Sequence, residues 1–288
     1  MANILKAIKT IADNPMPDLV SYYKGKNRIN SVGDALESFV KDVFANTVSE
    51  NDERKKLERY NELFSYNGNQ NNPPDLMLKN GDAIEVKKIE SLKASIALNS
   101  SYPKSKLYSD SPLITSHCRS CETWEEKDII YAIGVSEDKK LKLLWLIYGD
   151  CYAADREVYE RVTNKIIDGI QEIQNIEFSM TRELGRVNKV DPLGITYLRI
   201  RGMWGIQNPL VVYNYIEFEH DVNQDFQVIA IMKETKYLSF SGQDRQEIEN
   251  LSKNNLSIKD VKIKCPNNPA KLMSAKVINY KVMRSVHG

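Results

Sequence analysis

The 288-residue chain is short of cysteine, has no long apolar run and carries almost no net charge. Its four cysteines, Cys118, Cys121, Cys151 and Cys265, do not suggest a disulfide framework, and a chain of this length does not need one. No stretch approaches the roughly 20 apolar residues of a membrane span. The opening MANILKAIKTIADN lacks the apolar core of a secretory signal. The expectation is a cytoplasmic protein with reduced thiols and no membrane partner. Cys118 and Cys121 have the spacing of half a zinc site. A structural zinc site takes four ligands, and no second tight Cys/His pair follows. A net charge of +1 does not announce a nucleic-acid binder. There is no internal repeat and no low-complexity segment.

What is present fits one sizeable core: 42% of residues are apolar and 27% charged. Charge is uneven along the chain. Residues 87–106 hold Lys87, Lys88, Lys93, Lys104 and Lys106 against Glu90 alone. Residues 253–284 hold seven lysines and one arginine against Asp260 alone. A protein that meets DNA on one face has this pattern, and so does an ordinary solvated surface.

Apolar periodicity predicts helices over 1–13, 31–45, 52–64, 153–175 and 243–252. Strands are expected over 75–79, 83–88, 128–135, 141–148, 195–201, 209–217, 226–233 and near 274–281. Residues 128–135 and 141–148 read as a hairpin through SEDKK, and Asn67 to Pro74 reads as a loop. The fold class is α/β, a mixed sheet flanked by helices. Residues 1–182 are expected to form a catalytic core with N-terminal helices. Residues 183–288 would supply a strand-rich recognition region and C-terminal elements, within one compact domain.

The informative stretch is PPDLMLKNGDAIEVKK at 73–88. Asn-Gly between apolar alternations predicts a hairpin. Alternate strand residues share a face, so Glu85 and Lys87 project together while Leu76, Leu78, Ile84 and Val86 should face the core. A two-residue link would put Leu76 across from Glu85, on the wrong side. A three-residue link, Asn80-Gly81-Asp82, puts Met77 across from Glu85 and Asp75 across from Lys87, which gathers Asp75, Glu85 and Lys87 on one face. Paired carboxylates suit Mg²⁺, which takes one or two of them with phosphate oxygens and water. The adjacent lysine can hold the attacking water or offset phosphate charge. Solvent-facing hairpin residues would look the same in so short a pattern. Glu37, bordering the apolar stripe of the 31–45 helix, is a candidate further metal ligand or an ordinary exposed glutamate.

These residues resemble the PD-(D/E)xK nuclease superfamily and, more closely, the NgoPII family of type II restriction endonucleases. The resemblance is carried by GDALESFVKDVF at 33–44, FSYNGNQNNPPDLMLKNGDAIEVKKIES at 64–91 and ALNSSYPKSKL at 97–107. It continues in WEEKDIIY at 124–131, ELGRVNKVDPLGITYLRIRGMWGIQNP at 183–209 and SIKDVKIKCPNNPAKL at 257–272. It implies Mg²⁺-dependent hydrolysis of double-stranded DNA at a short G/C-rich palindrome, GGCC first and GGNCC as the alternative. Asp75, Glu85 and Lys87 carry over as catalytic residues, and Glu37 as the acid of the early helix.

Guanine is read through O6 and N7 by arginine or lysine. Arg199 and Arg201 alternate on one predicted strand beside Trp204, with Arg186, Asn188 and Lys189 just upstream. Arg199 and Arg201 could equally be surface salt-bridge residues, and Trp204 a core residue. A second candidate DNA surface holds Asn99, Ser100, Ser101, Lys104 and Lys106. A palindrome is most simply read by a homodimer. A restriction activity also requires a cognate DNA methyltransferase in the host. A repair nuclease on the same scaffold and a DNA-binding protein without catalysis are the competing readings.

Overall fold

The most apolar runs make the centre. A computed structural model describes residues 1–16, 18–24, 32–69, 72–138, 140–218, 224–251 and 255–283. Its strands are β1 (Phe64–Asn69), β2 (Asn72–Leu78), β3 (Ala83–Ile89), β4 (Ile96–Asn99), β5 (Lys106–Tyr108), β6 (Glu126–Glu137), β7 (Lys140–Tyr148), β8 (Glu177–Ser179), β9 (Gly185–Asn188), β10 (Leu198–Ile200), β11 (Trp204–Ile206), β12 (Gln224–Lys233), β13 (Leu256–Cys265) and β14 (Asn268–Met283). Its helices are α1 (Ile4–Asp13), α2 (Leu19–Lys24), α3 (Val32–Ala45), α4 (Glu53–Leu63), α5 (Ser116–Ser120), α6 (Gly149–Tyr152), α7 (Arg156–Gln171), α8 (Pro209–Val212), α9 (Glu234–Ser239) and α10 (Gly242–Asn250).

The main sheet runs β1-β2-β3-β6-β7-β12-β14-β13, with β5 also paired to β6. It is mixed: β3–β6 and β7–β12 are parallel and the other neighbours antiparallel. Ile130, Ile133, Leu144, Leu146, Ile229 and Ile231 on its central strands are fully buried. Helices flank it. α3 brings Leu36, Phe39, Val40 and Val43 into the core. It sits close on β6, where a Cβ at Gly134 would come within 2.5 Å of Leu36. β8, β9 and β10 form a separate small sheet, and β11 pairs with β4. Residues 224–283 return to the main sheet as β12, β13 and β14, so the C-terminal strands extend the same layer as the hairpin at 72–89.

Most of the long periodic segments form the expected elements. The SEDKK turn is tighter than expected, since the ladder continues to Glu137↔Lys140 with Asp138 at φ 49°. Two expectations fail. Residues 209–217 contain the short helix α8 and turns in place of a strand. Asn208 caps α8 by accepting from Leu210 N–H, and Pro209 sits at its first turn, so local capping overrides the β-branched composition. The expected loop at 67–74 lies in β1 and β2, apart from residues 70 and 71, which are outside the described residues. Pro73 and Pro74, joined by a cis peptide bond, fall beyond the part of β2 paired with β3, where no ladder donor is demanded.

A buried polar knot fixes the N-terminal helices. Asp42 on α3 is 0% exposed. It accepts from Tyr23 at 2.7 Å, Thr47 at 2.6 Å, Lys56 at 2.7 Å and also from Tyr60. Removing the ammonium leaves a buried carboxylate uncompensated. Lys56→Ala is therefore expected to cost about 3–5 kcal/mol. A urea titration of the pure variant checks this, and a loss below about 1 kcal/mol would show the knot to be dispensable.

Candidate active site

The β2–β3 hairpin places the acidic cluster. Its ladder pairs Leu76 with Ile84 and Met77 with Ala83. The link is three residues, Lys79-Asn80-Gly81, with Asn80 at φ 52°. The expected odd length is present, but the link begins one residue earlier than expected. Asp82 is held inside the sheet, accepting from Tyr148 Oη at 2.6 Å and Lys236 Nζ at 2.8 Å, so it cannot serve as a turn residue. Extending this register puts Asp75 across from Glu85, not Lys87. The parity is unchanged, and Asp75, Glu85 and Lys87 all open onto one cleft.

Two local features aim Asp75. Between Asn67↔Leu76 and Asn69↔Asn72, the three residues 73–75 oppose Gly68 alone. This bulge turns the strand toward the cleft. A Cβ at Gly68 would lie 2.3 Å from Pro74 O and 2.9 Å from Asp75 Cα, so only glycine allows this approach. Asp75 Oδ2 then accepts from Val86 N–H at 2.6 Å, tying the carboxylate to β3. Further along the same face Met77 is covered by Cys118 of α5, whose Sγ lies 3.4 Å from Met77 Sδ. Cys121 Sγ donates to Cys118 O at 3.1 Å. The CxxC pair thus closes the apolar end of this face.

The electrostatics are those of a crowded anionic site. Lys87 Nζ contacts Glu85 Oε1 at 2.6 Å. Glu85 Oε2 is buried and has no hydrogen-bond partner. Burial, then the Glu85 charge, push the Asp75 carboxyl up to about 7, against the opposing pull of Lys87 and the Val86 N–H. Burial alone would lower the Lys87 ammonium, but Glu85, Asp75 and Glu37 outweigh it and hold it above its ordinary value. Glu37 is exposed by area on α3, yet it feels Lys87 and Glu85 electrostatically. Desolvation and Asp34 raise its carboxyl. Among the described residues no three His, Cys, Asp or Glu side chains gather as a metal cage. Glu37 is therefore not brought into direct ligand company with Asp75 and Glu85. Two carboxylates with one buried oxygen unpartnered, in a cleft open to substrate, fit a cation that takes its other ligands from phosphate and water.

The cleft has a volume of about 600 Å³. Besides the acidic cluster it is lined by Asn99, Ser100, Ser101, Arg199 and Arg201, which the sequence singled out. It also includes Glu183, to which sequence reasoning assigned no role. The Glu183 carboxylate accepts from Ser100 Oγ at 2.7 Å and from Arg201 Nε at 2.9 Å, and lies 3.4 Å from Arg199 Nη2. Its side chain is 8% exposed, while those of Arg199 and Arg201 are 54% and 60% exposed. Desolvation raises this carboxyl, but Ser100, Arg201 and Arg199 together bring it below its ordinary value. An acid sixteen positions before the first of two alternating arginines carries no recognisable signature without the fold. The salt bridges given as the alternative for Arg199 and Arg201 are thus present: each side chain is exposed and tied to Glu183, and both line the cleft.

Other expected DNA contacts lie elsewhere. Lys104 is buried, not presented to phosphate. Its Nζ donates to Tyr102 O at 3.2 Å and to Ser101 Oγ, and burial lowers its ammonium to about 8. It props the 99–104 loop from beneath. Lys106 is engaged by Glu126 at 2.5 Å on β5. Lys189 pairs with Glu177 at 2.8 Å, Asn188 donates to Ser179 at 3.1 Å, and Arg186 lies over the Tyr197 ring. None of these five residues lines the cleft described by Asp75 and Glu85. Trp204 packs edge-on against Tyr102 and Tyr159 while β11 pairs with β4, so its ring joins the 99–104 loop to α7.

The family model described as NgoPII restriction endonuclease matches residues 2–264. The chain belongs to the NgoPII restriction endonuclease family. It is 50% identical over 279 residues to the type II restriction enzyme NgoPII of Neisseria gonorrhoeae, covering 96% of this chain and 99% of that enzyme. No solved structure matches. Family membership agrees with the mixed sheet flanked by helices, and no helix among the described residues is long and apolar enough to cross a membrane.

Proposed function

We propose that this chain is a type II restriction endonuclease that hydrolyses both strands of double-stranded DNA at GGCC, with Mg²⁺ as cofactor. The observation that carries the reading is the convergence of Asp75, Glu85 and Lys87 on one cleft, with Glu85 Oε2 buried and unpartnered. Asp75 and Glu85 are the residues that would hold the metal. When bound, a divalent cation supplies positive charge to the phosphate and lowers the pKa of a bound water. Lys87, kept protonated by three carboxylates, holds positive charge beside the scissile phosphate and can orient the attacking water. Glu37 adds negative charge at the edge of this site.

Arg199 and Arg201, which line the same cleft, are the candidate guanine readers, and Asn99, Ser100 and Ser101 are small enough to approach the backbone or bases. A palindrome calls for two copies related by a two-fold axis, each cutting one strand. A host carrying this activity would need a methyltransferase that protects the same sites and would keep both in its cytoplasm.

The test is digestion of a plasmid of known sequence with Mg²⁺ or with EDTA. Discrete Mg²⁺-dependent fragments ending at GGCC are the expected result. Ends confined to GGNCC would move the specificity to that site. Random nicking would favour a repair nuclease, and binding without cutting would sink the catalytic reading.

A further inference from the structure

We infer that the outer face of α7 is a self-complementary surface that binds a second copy of this chain, helix against antiparallel helix. The inner face of α7 is committed to its own molecule. Ile167 is buried, Tyr159 stacks on Tyr102, and Glu160 accepts from Tyr102 Oη at 3.1 Å. The outer face carries an apolar stripe at four-residue spacing: Val158, Val162 and Ile166 are 41%, 42% and 44% exposed. Gly169, also exposed, has open space where a Cβ would point, which permits close approach of another helix. A helix stripe of this kind is normally buried against a partner.

The charges beside the stripe choose that partner. On one flank run Arg161, Lys165, Asp168 and Glu172, all exposed and without an ion-pair partner among the described residues. The first half of this flank is positive and the second half negative. When two identical helices pack antiparallel about a two-fold axis, each flank faces its own copy running the other way. Arg161 then meets the partner's Glu172, and Lys165 meets the partner's Asp168. A parallel two-fold pairing would instead set this flank against the partner's other flank, where Thr163 and Ile170 offer its charges no complement. The two acids disfavour DNA phosphates on this face, so a nucleic acid is the poorer occupant. The surface is isologous, as a closed dimer requires. Because α7 is bound to the segment that borders the cleft, the same axis would relate two clefts, as a palindrome needs. The inference builds on the two-fold reading above, but its test reads oligomeric state without DNA or metal, and so stands or falls apart from cutting.

The faces are small: about 24 Å of helix, short of a standard interface, so a dimer in the micromolar range is expected. Analytical ultracentrifugation over a concentration series should show it. Arg161→Glu/Lys165→Glu makes the flank wholly acidic, and Asp168→Lys/Glu172→Lys makes it wholly basic. Each variant alone should need at least about tenfold more protein to dimerise. An equimolar mixture of the two should restore association to the wild-type range or tighter. All four positions are exposed, and circular dichroism confirms that the variants fold. A wild type that stays monomeric throughout, variants that dimerise like wild type, or a mixture that fails to associate would each overturn the inference.

Discussion

Asp75→Asn is expected to reduce Mg²⁺-dependent cutting by about a thousandfold or more and, in EDTA at pH 8, to make the protein more stable than wild type. The loss of activity follows from losing one of two carboxylates that would hold the metal. The gain in stability follows from the same crowding. Burial and then the Glu85 charge push the Asp75 carboxyl in the folded protein up to about 7, from an ordinary value of 3.8. A group whose folded pKa is raised contributes stability that is fully present below its unfolded pKa and is lost as pH rises through the folded pKa. Metal-free wild type therefore loses this contribution between about pH 4 and pH 7, and the uncharged amide does not. Asn can still accept from Val86 N–H, so the hairpin is kept. The advantage of the variant should be near zero at pH 4 and on the order of 1–2 kcal/mol at pH 8, read from thermal melts in EDTA. Added Mg²⁺ should reverse the order by stabilising wild type alone. Undiminished cleavage by the variant, or parallel melting curves across this pH range, would mean that Asp75 and Glu85 do not share the site described.

How much of this was legible beforehand depends on the range of the cause. Leu76, Leu78, Ile84 and Val86 are all buried, and their alternation alone was enough to place Asp75, Glu85 and Lys87 on one side. Parity of the turn is a local property, and period-two patterning reports it. The exact register was not legible. It is set by Tyr148 and Lys236 gripping Asp82 from distant strands and helices, and nothing near Asn80-Gly81 records that. The same limit explains Lys104. Its neighbours Ser101 and Ser105 read as a polar loop, yet Tyr131 Oη accepts from Lys104 N–H at 2.7 Å and draws the segment against β6. A basic residue in a basic stretch looked like a phosphate contact because the sequence does not say which lysine the sheet will cover. The bulge at 73–75 was hidden for a related reason. Prolines and asparagines signalled interruption of a strand, and a loop was the simplest form; a strand interrupted by a bulge against Gly68 has the same composition.

Glu183 shows what only the assembled site reveals, and replacing it should change recognition more than catalysis. Its carboxylate is the common acceptor for a loop hydroxyl and two guanidinium groups that come from separate parts of the chain. Held this way, Arg199 and Arg201 enter the cleft with little freedom left to lose on binding, which favours a defined base over any phosphate within reach. Glu183→Ala releases both side chains and Ser100. It also removes a negative charge that opposes DNA. Two effects of opposite sign follow. Binding to the cognate duplex should weaken by about 10- to 100-fold, because the two released arginine side chains must be ordered again on binding, at about 0.5–1.5 kcal/mol each, partly offset by the freed cations. Binding to a scrambled duplex should hold or tighten slightly, since phosphate contact needs charge but little orientation. Glu183→Gln keeps an acceptor for Ser100 and should fall between the two. Fluorescence anisotropy on both duplexes, in EDTA and at one fixed salt concentration, separates these contributions from the chemical step. If the ratio of cognate to scrambled affinity stays at the wild-type value in Glu183→Ala, the carboxylate merely neutralises the arginines and the readers lie elsewhere in the cleft.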